Sequence, residues 1–339
     1  MALSVRAVVK GNRYRVQELL ARGGFGFVYL TFDCLSKRQV VLKELIPALV
    51  GDVEILRRFT REGRTMLRLS HPNIARTEGM FKDQGNYYMV LEYVNGGALS
   101  DWTDRGRRLS LTRTARVVMA LCDALVYLHK RGVTHCDVNP SNVLFDMEGR
   151  LKLIDLGIAH VSDELVHRHW HTQRDFPIGT VIYMAPEQLD GVRDDARVDL
   201  YAVGVLVYQM LTGRHYLDFD LRNTPAAYAE NVNLVRNEIP KPIPNVPPAV
   251  EEVIMRSLAK EPSDRYPDVA TFCREFMGAL VPHLPADEGI RLVMRLRSNS
   301  ESRAKNLKAA EWPQWVWGAL LALDVTIMAV VALLLLYSP

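Results

Sequence analysis

His135-Cys136-Asp137-Val138-Asn139-Pro140-Ser141-Asn142-Val143-Leu144, followed by Leu153-Ile154-Asp155-Leu156-Gly157, is the stretch whose reading decides the fold. An aspartate in a loop can orient a hydroxyl and accept its proton, which points to Asp137. An asparagine five residues later, Asn142, and the further aspartate Asp155 supply hard oxygen ligands of the kind that hold Mg²⁺.

Upstream, LTRTARVVMALCDALVYLHKRG (111–132) predicts an amphipathic helix ended by Gly132. Earlier still, residues 14–48 read as strands: RYRVQELLA, FGFVYLTFD and RQVVLKELI, rich in β-branched and aromatic residues. Leu20 to Val28, with Gly23, Gly24 and Gly26, joins the first two as a hairpin whose backbone N–H groups could approach phosphates; a plain tight turn has the same composition. Lys43 lies inside the apolar run Val40-Val41-Leu42, where a buried ammonium needs a partner. Glu62 is the natural one, on a helix predicted over 53–69 from Ile55, Phe59, Met66 and Leu69. Either residue alone also reads as an ordinary surface charge. Two more strands, ARTEGMFKDQG and NYYMVLEYV, complete the β-rich part.

Downstream the pattern turns helical, in VDLYAVGVLVYQMLTG ended by Gly213, then PPAVEEVIMRSLAK and PDVATFCREFMGAL. Gly179-Thr180, Met184-Ala185-Pro186-Glu187, Asp199 and Arg265 punctuate that part.

The order and spacing of these motifs resemble the eukaryotic-type protein kinase superfamily over about residues 14–280, and bacterial Ser/Thr kinases most. The resemblance implies an α+β, two-lobed fold: a small β-rich N-lobe over about 14–91 and a large helical C-lobe over about 95–280. It implies ATP and Mg²⁺ as cofactors and proteins as substrates. Leu20, Gly23, Gly26 and Val28 would cover the nucleotide, with Lys43 on the α- and β-phosphates and paired to Glu62. Leu91 would be the gatekeeper, and Glu92 to Val94 the hinge meeting adenine. Asp137 would be the catalytic base, with Asn142 and Asp155 holding Mg²⁺. Thr180 would touch the catalytic loop, Glu187 and Arg265 would form a buried ion pair, and Asp199 would brace the loop backbone.

Four positions depart from the family pattern. Ala21 replaces the first loop glycine, and Leu156 replaces the usual phenylalanine after Asp155. Cys136 replaces the arginine that normally holds an activation-segment phosphate, so activity is expected not to depend on phosphorylation there, at Ser162 or Thr172 for instance. Asn139 replaces the lysine that reaches the γ-phosphate, which removes a charge from the transition state. That last change supports the alternative of a nucleotide-binding pseudokinase serving as a membrane scaffold. Ser/Thr acceptors are expected over Tyr, because the arginine-containing pattern of tyrosine kinases is missing.

The 48% hydrophobic and 24% charged composition fits a globular chain. The formal net charge of +3 is too small to argue for nucleic acid, and no partner of that kind is expected. Cys34, Cys122, Cys136 and Cys273 are scattered and read as reduced thiols, Cys136 as a packed side chain. His167, His169 and His171 alternate as a Zn²⁺ site can, although a solvated loop explains them as well.

Residues 281–311 are a basic juxtamembrane linker, with Arg291, Arg295, Arg297, Arg303, Lys305 and Lys308. Residues 315–337 read as one transmembrane helix. Gly318 to Leu336 is long enough to cross about 30 Å of hydrocarbon, with Trp312, Trp315 and Trp317 at one end and Tyr337 at the other. Asp324 costs about 2.5–3.5 kcal/mol, but each Leu, Ile or Val returns about 0.3–0.6 and eleven are present. The basic residues before the span place the kinase domain in the cytoplasm, as a single-pass protein with a C-terminal anchor and almost nothing beyond it. Asp324 pairing between spans would make a homo-oligomer.

Overall fold

In a computed structural model, residues 2–22, 26–46, 49–155, 181–289 and 291 are described, apart from the side chains of Glu54, Arg58 and Glu62. Among them a β-rich lobe precedes a helical one. The first lobe is a six-stranded sheet, β1 (Val8–Val9), β2 (Tyr14–Arg22), β3 (Gly26–Asp33), β4 (Arg38–Leu45), β5 (Thr77–Asp83) and β6 (Asn86–Glu92). Its order is β1-β2-β3-β4-β6-β5, every neighbouring pair antiparallel. Helix α1 (Val53–Met66) joins β4 to β5 and buries Ile55, Phe59 and Met66, the residues of the sequence periodicity.

Strand alternation assigns the two faces of the sheet. Val40, Leu42 and Glu44 point to one face of β4, and Val41 and Lys43 to the other. The first face is covered by residues that precede the lobe as read from sequence. Val9 packs with Tyr14, Val40, Leu42, Tyr88 and Val90, and Leu3 lies against them. The chain is tied there by Arg6 N–H to the Val16 carbonyl (2.9 Å) and Lys10 N–H to Asp83 (2.8 Å).

Under this strap Glu44 is 1% exposed. Its carboxylate accepts from Tyr29 Oη (2.9 Å) and Tyr88 Oη (2.7 Å), and Leu3 N–H donates to Tyr29 Oη (2.8 Å). Two phenols thus compensate a buried acid, one of them held in turn by a backbone amide, with no cation on the carboxylate among the described residues. Removing one donor leaves a charged acceptor undersatisfied. Tyr88→Phe is therefore expected to destabilise the protein by about 1.5–3 kcal/mol. An unchanged urea unfolding midpoint would show that the network carries no stability.

The helical lobe holds α2 (Ser100–Thr103), α3 (Leu111–His129), α4 (Arg197–Thr212), α5 (Pro225–Asn237), α6 (Pro248–Ser257) and α7 (Val269–Leu280), with a hairpin of β7 (Val143–Phe145) and β8 (Leu151–Leu153). Helix α4 is buried along nearly its whole length, which is why its sequence is apolar on all sides. Gly213 ends it at φ +67°, and a Cβ there would lie 2.3 Å from the Gly106 carbonyl oxygen. Helix α3 runs to His129 and is closed by Gly132, as expected: the glycine is left-handed (φ +67°), its N–H donates to the His129 carbonyl (2.9 Å) and Val133 N–H donates to the Leu128 carbonyl (3.1 Å). Helix α5 has no counterpart in the sequence reading. Its apolar periodicity is weak, but Thr224 caps Ala227 N–H (3.1 Å) and Pro225 follows, a start signal legible in the sequence.

Residues 1–279 form one compact unit. Among the described residues no helix is long and apolar enough to cross a membrane, and 315–337 lie outside them.

Candidate active site

The loop between α3 and β7 holds the first half of the site. A short 3₁₀ turn, Pro140–Asn142, follows Asn139, whose Oδ1 accepts from the N–H groups of Ser141 (2.9 Å) and Asn142 (3.2 Å). Capping turns the other end of the amide toward Asp137, and Asn139 Nδ2 donates to Asp137 Oδ1 (2.8 Å). Asn142 Nδ2 donates to Asp137 Oδ2 (2.9 Å) and to the Asp137 carbonyl (2.8 Å). Each carboxylate oxygen thus meets one amide donor, so the side chain is fixed in direction while keeping lone pairs for a proton.

Burial pushes the Asp137 carboxyl up, and the nearby negative Asp155 adds to that; the two asparagine bonds oppose it. Mutual repulsion between two carboxylates is the electrostatic setting a cation relieves. The Asn142 amide turns its nitrogen to Asp137, which leaves its oxygen for a metal. That oxygen and Asp155 form a hard donor set that fits Mg²⁺.

Asp155 adopts left-handed backbone (φ +57°) and accepts from Lys43 Nζ, which reaches over from β4. Val28 lies opposite Lys43 in the β3–β4 register, and Leu20 is half-exposed on β2. At Gly26 a Cβ would stand 2.5 Å from the Glu44 carbonyl oxygen, so the close approach of β3 to β4 demands glycine. Gly23, Leu156, Thr180, the proposed phosphosites and the three alternating histidines lie outside the described residues, as does the side chain of Glu62. Leu91 faces Val41 and Thr77 across the sheet. Glu92 accepts from Arg76 N–H (2.9 Å) and pairs with Lys152 (2.8 Å), and Val94 is buried just beyond it.

Cys136 is the strained residue that presents Asp137, at φ +63°. Its N–H donates to Asp199 Oδ1 (2.7 Å), its carbonyl accepts from Gln188 Nε2 (3.0 Å), and its thiol donates to the Arg193 carbonyl (3.2 Å). Burial pushes the thiol well above its ordinary range, so it is a packed and unreactive side chain. Asp199, 1% exposed, also accepts from His135 N–H (2.8 Å) and pairs with His129 (2.7 Å). His135 Nε2 donates to the Ile154 carbonyl (3.0 Å), and Nδ1 accepts from Asp137 N–H (3.3 Å). One imidazole thus joins the Asp137 loop to the strand end that carries Asp155.

Sequence reasoning misses His129 and Gln188 in this support. Gln188 has no sequence signal, whereas a histidine in the last turn of a helix is at least placed to meet an acid. Glu187 and Arg265 make the expected ion pair, at 2.6 and 2.8 Å. Among the described residues no cluster of His, Cys, Asp and Glu has a metal-binding arrangement of its own.

Three comparisons place this geometry. Residues 14–277 match the family model described as a protein kinase domain. The probable serine/threonine-protein kinase SCO3848 of Streptomyces coelicolor is 35% identical over 76% of the chain and 38% of its own length. The serine/threonine-protein kinase Pkn1 of Myxococcus xanthus is 36% identical over 81% and 39%. The chain therefore spans about two fifths of the length of these relatives. The solved kinase domain of PknI from Mycobacterium tuberculosis superimposes with a TM-score of 0.59 at 28% identity, over 82% of this chain and 100% of that one.

Proposed function

The chain belongs to the protein kinase family, and on that premise we propose that it is a serine/threonine protein kinase tethered to a membrane. The family uses ATP and a divalent metal, typically Mg²⁺. The observation that carries the reading is the pair of asparagine donors that hold the Asp137 carboxylate beside the Lys43–Asp155 contact.

On this reading Lys43 binds the α- and β-phosphates, and the adenine meets the backbone of Glu92 to Val94. Asn142 and Asp155 would hold Mg²⁺, which when bound would neutralise charge on the phosphates. The acceptor hydroxyl oxygen attacks the γ-phosphorus, its proton passes to Asp137, and the bond to the departing ADP breaks. The relatives' names support serine and threonine as acceptors.

Incubating the full chain with γ-labelled ATP and Mg²⁺ tests the reading. Label on the chain or on a generic acceptor at Ser or Thr supports it. Nucleotide binding with no transfer sinks it in favour of a scaffolding pseudokinase, the second reading that Asn139 keeps open.

Asn139 has a role here without being a cation: it aims the base. Asn139→Asp keeps an oxygen to cap the 3₁₀ turn, but removes the donor and sets a like charge beside Asp137. The carboxyl then holds its proton to higher pH, and only the deprotonated form accepts one. The acid limb of the kcat/KM profile should move to higher pH. The rate at neutral pH should fall about ten- to a hundredfold, as for one lost charge-assisted bond of about 1.5–3 kcal/mol. An unshifted acid limb would exclude this role.

Activity independent of activation-segment phosphorylation is part of the proposal, since position 136 carries a buried thiol rather than a cation. Ser162→Ala and Thr172→Ala should leave the transfer rate unchanged, and loss of activity in either would overturn it. Residues 315–337 are proposed as a C-terminal anchor that keeps the kinase domain cytoplasmic, on the evidence of their length and apolarity.

A further inference from the structure

Helix α1 has two faces of opposite character. Ile55, Phe59 and Met66 are buried against the lobe. On the other side stand Arg57, Arg61 and Arg64, with Arg68 in the turn that closes the helix, all exposed and at spacings of four, three and four residues. At 100° per residue these four fall within a narrow arc and form a row about 16 Å long. None of their guanidinium groups has a carboxylate partner among the described residues. Neighbouring like charges at these spacings repel one another along the helix.

The row borders a shallow open groove of about 480 Å³, also lined by Val53, Leu56, Thr60 and Thr65. Val53 is 70% exposed. Cations in a line with an exposed apolar residue at one end are the makings of a face that lies on anionic headgroups.

We propose that the outer face of α1 docks on an anionic lipid surface. Charge complementarity demands an anionic occupant. A convex helix with its charges in one row, and no enclosed subsite, fits a plane of headgroups better than a single phosphate or an acidic peptide. Reach supports the same occupant, and here the inference rests on the proposed anchor. About 27 residues separate Arg291 from Gly318, so even fully extended chain keeps Arg291 within about 95 Å of the span. The stretch between them is itself basic. Helix α1 also carries Glu62, the expected partner of Lys43, so headgroup contact would bias the helix that completes the nucleotide site.

The test uses the full chain in vesicles of phosphatidylcholine alone or with one third phosphatidylserine. Resistance to carbonate extraction from the neutral vesicles reports the anchor by itself. Hydrogen exchange over residues 53–68 reports the docking. Slower exchange in the anionic vesicles than in the neutral ones is expected. It should be lost at high salt and in the fourfold Arg57→Gln, Arg61→Gln, Arg64→Gln, Arg68→Gln variant, and kept when the four become lysine. Partition of solubilised chain onto anionic vesicles should weaken roughly fivefold per arginine removed.

Equal exchange in both vesicle types would overturn the proposal. So would soluble polyglutamate protecting 53–68 as well as vesicles do, which would mark an acidic protein as the partner. Extraction by carbonate with salt-sensitive protection intact would refute the anchor and leave the docking face standing.

Discussion

Asp137→Asn is expected to lower phosphoryl transfer by a factor of about 10²–10⁴ while nucleotide binding survives. The carboxylate is the only group on its loop with lone pairs aimed by two donors and a deprotonated form able to take a proton. An amide of the same shape cannot take one. It also offers one oxygen where the carboxylate offered two, so Asn139 Nδ2 or Asn142 Nδ2 would face an NH₂ group and lose its acceptor. The base is then removed, and the loop that aims the substrate hydroxyl is loosened.

Lys43, on the opposite lobe, keeps its place on β4, so ATP affinity should change little. A single-turnover rate within a few-fold of the parent would exclude Asp137 as the base. A parallel collapse of ATP binding and thermal stability would mean the variant had misfolded. Ser141→Ala then serves as the control, because its backbone N–H rather than its hydroxyl meets the Asn139 cap.

Much of this site was legible because its members lie close together in the chain. Asp137, Asn139 and Asn142 fall within one loop, and a capped 3₁₀ turn brings their side chains together through bonds of two to five residues' separation. The contact of Lys43 with Asp155 spans 112 positions and was not read from the sequence, where Glu62 stood as the partner of Lys43. The support beneath the loop was harder still. Asp199 reads as a brace from the resemblance, but its bonds to His129 and His135 depend on how α3 and α4 pack.

The fold shows the same division. Strands and long amphipathic helices announce themselves by period, whereas β1 is two residues long and gains its stability from the Glu44 face it covers. Helix α5 hid behind three asparagines, although its Thr224-Pro225 start was visible. The Asn139 result changes the reading most. As a missing cation the substitution argued for lost activity, whereas in the structure the amide donates to Asp137 Oδ1 and fixes the direction of that carboxylate.

Arg265→Met should cost about 3–5 kcal/mol of stability, the largest structural effect expected in the helical lobe. The arginine side chain is fully buried and makes a two-pronged bond to Glu187. Its remaining N–H groups donate to the carbonyls of Ala259 (2.7 Å), Lys260 (2.8 Å) and Arg197 (3.2 Å), and its guanidinium lies 4.8 Å from the centre of the Tyr201 ring. Methionine fills much of the volume but satisfies none of these acceptors, and it leaves the largely covered Glu187 carboxylate without its cation.

Removing the unpaired charge as well should restore part of the loss, so Glu187→Leu with Arg265→Met is expected to be more stable than Arg265→Met alone. The three unmet carbonyls keep that recovery incomplete. The damage should also reach the catalytic loop, since Gln188, the next residue in the chain, holds the Cys136 carbonyl through Nε2. Faster amide exchange at residues 135–142 in Arg265→Met would report that path. Additive losses in the double variant would show instead that the two side chains do not act as a pair, and that the arginine's value lies wholly in the carbonyls it ties together.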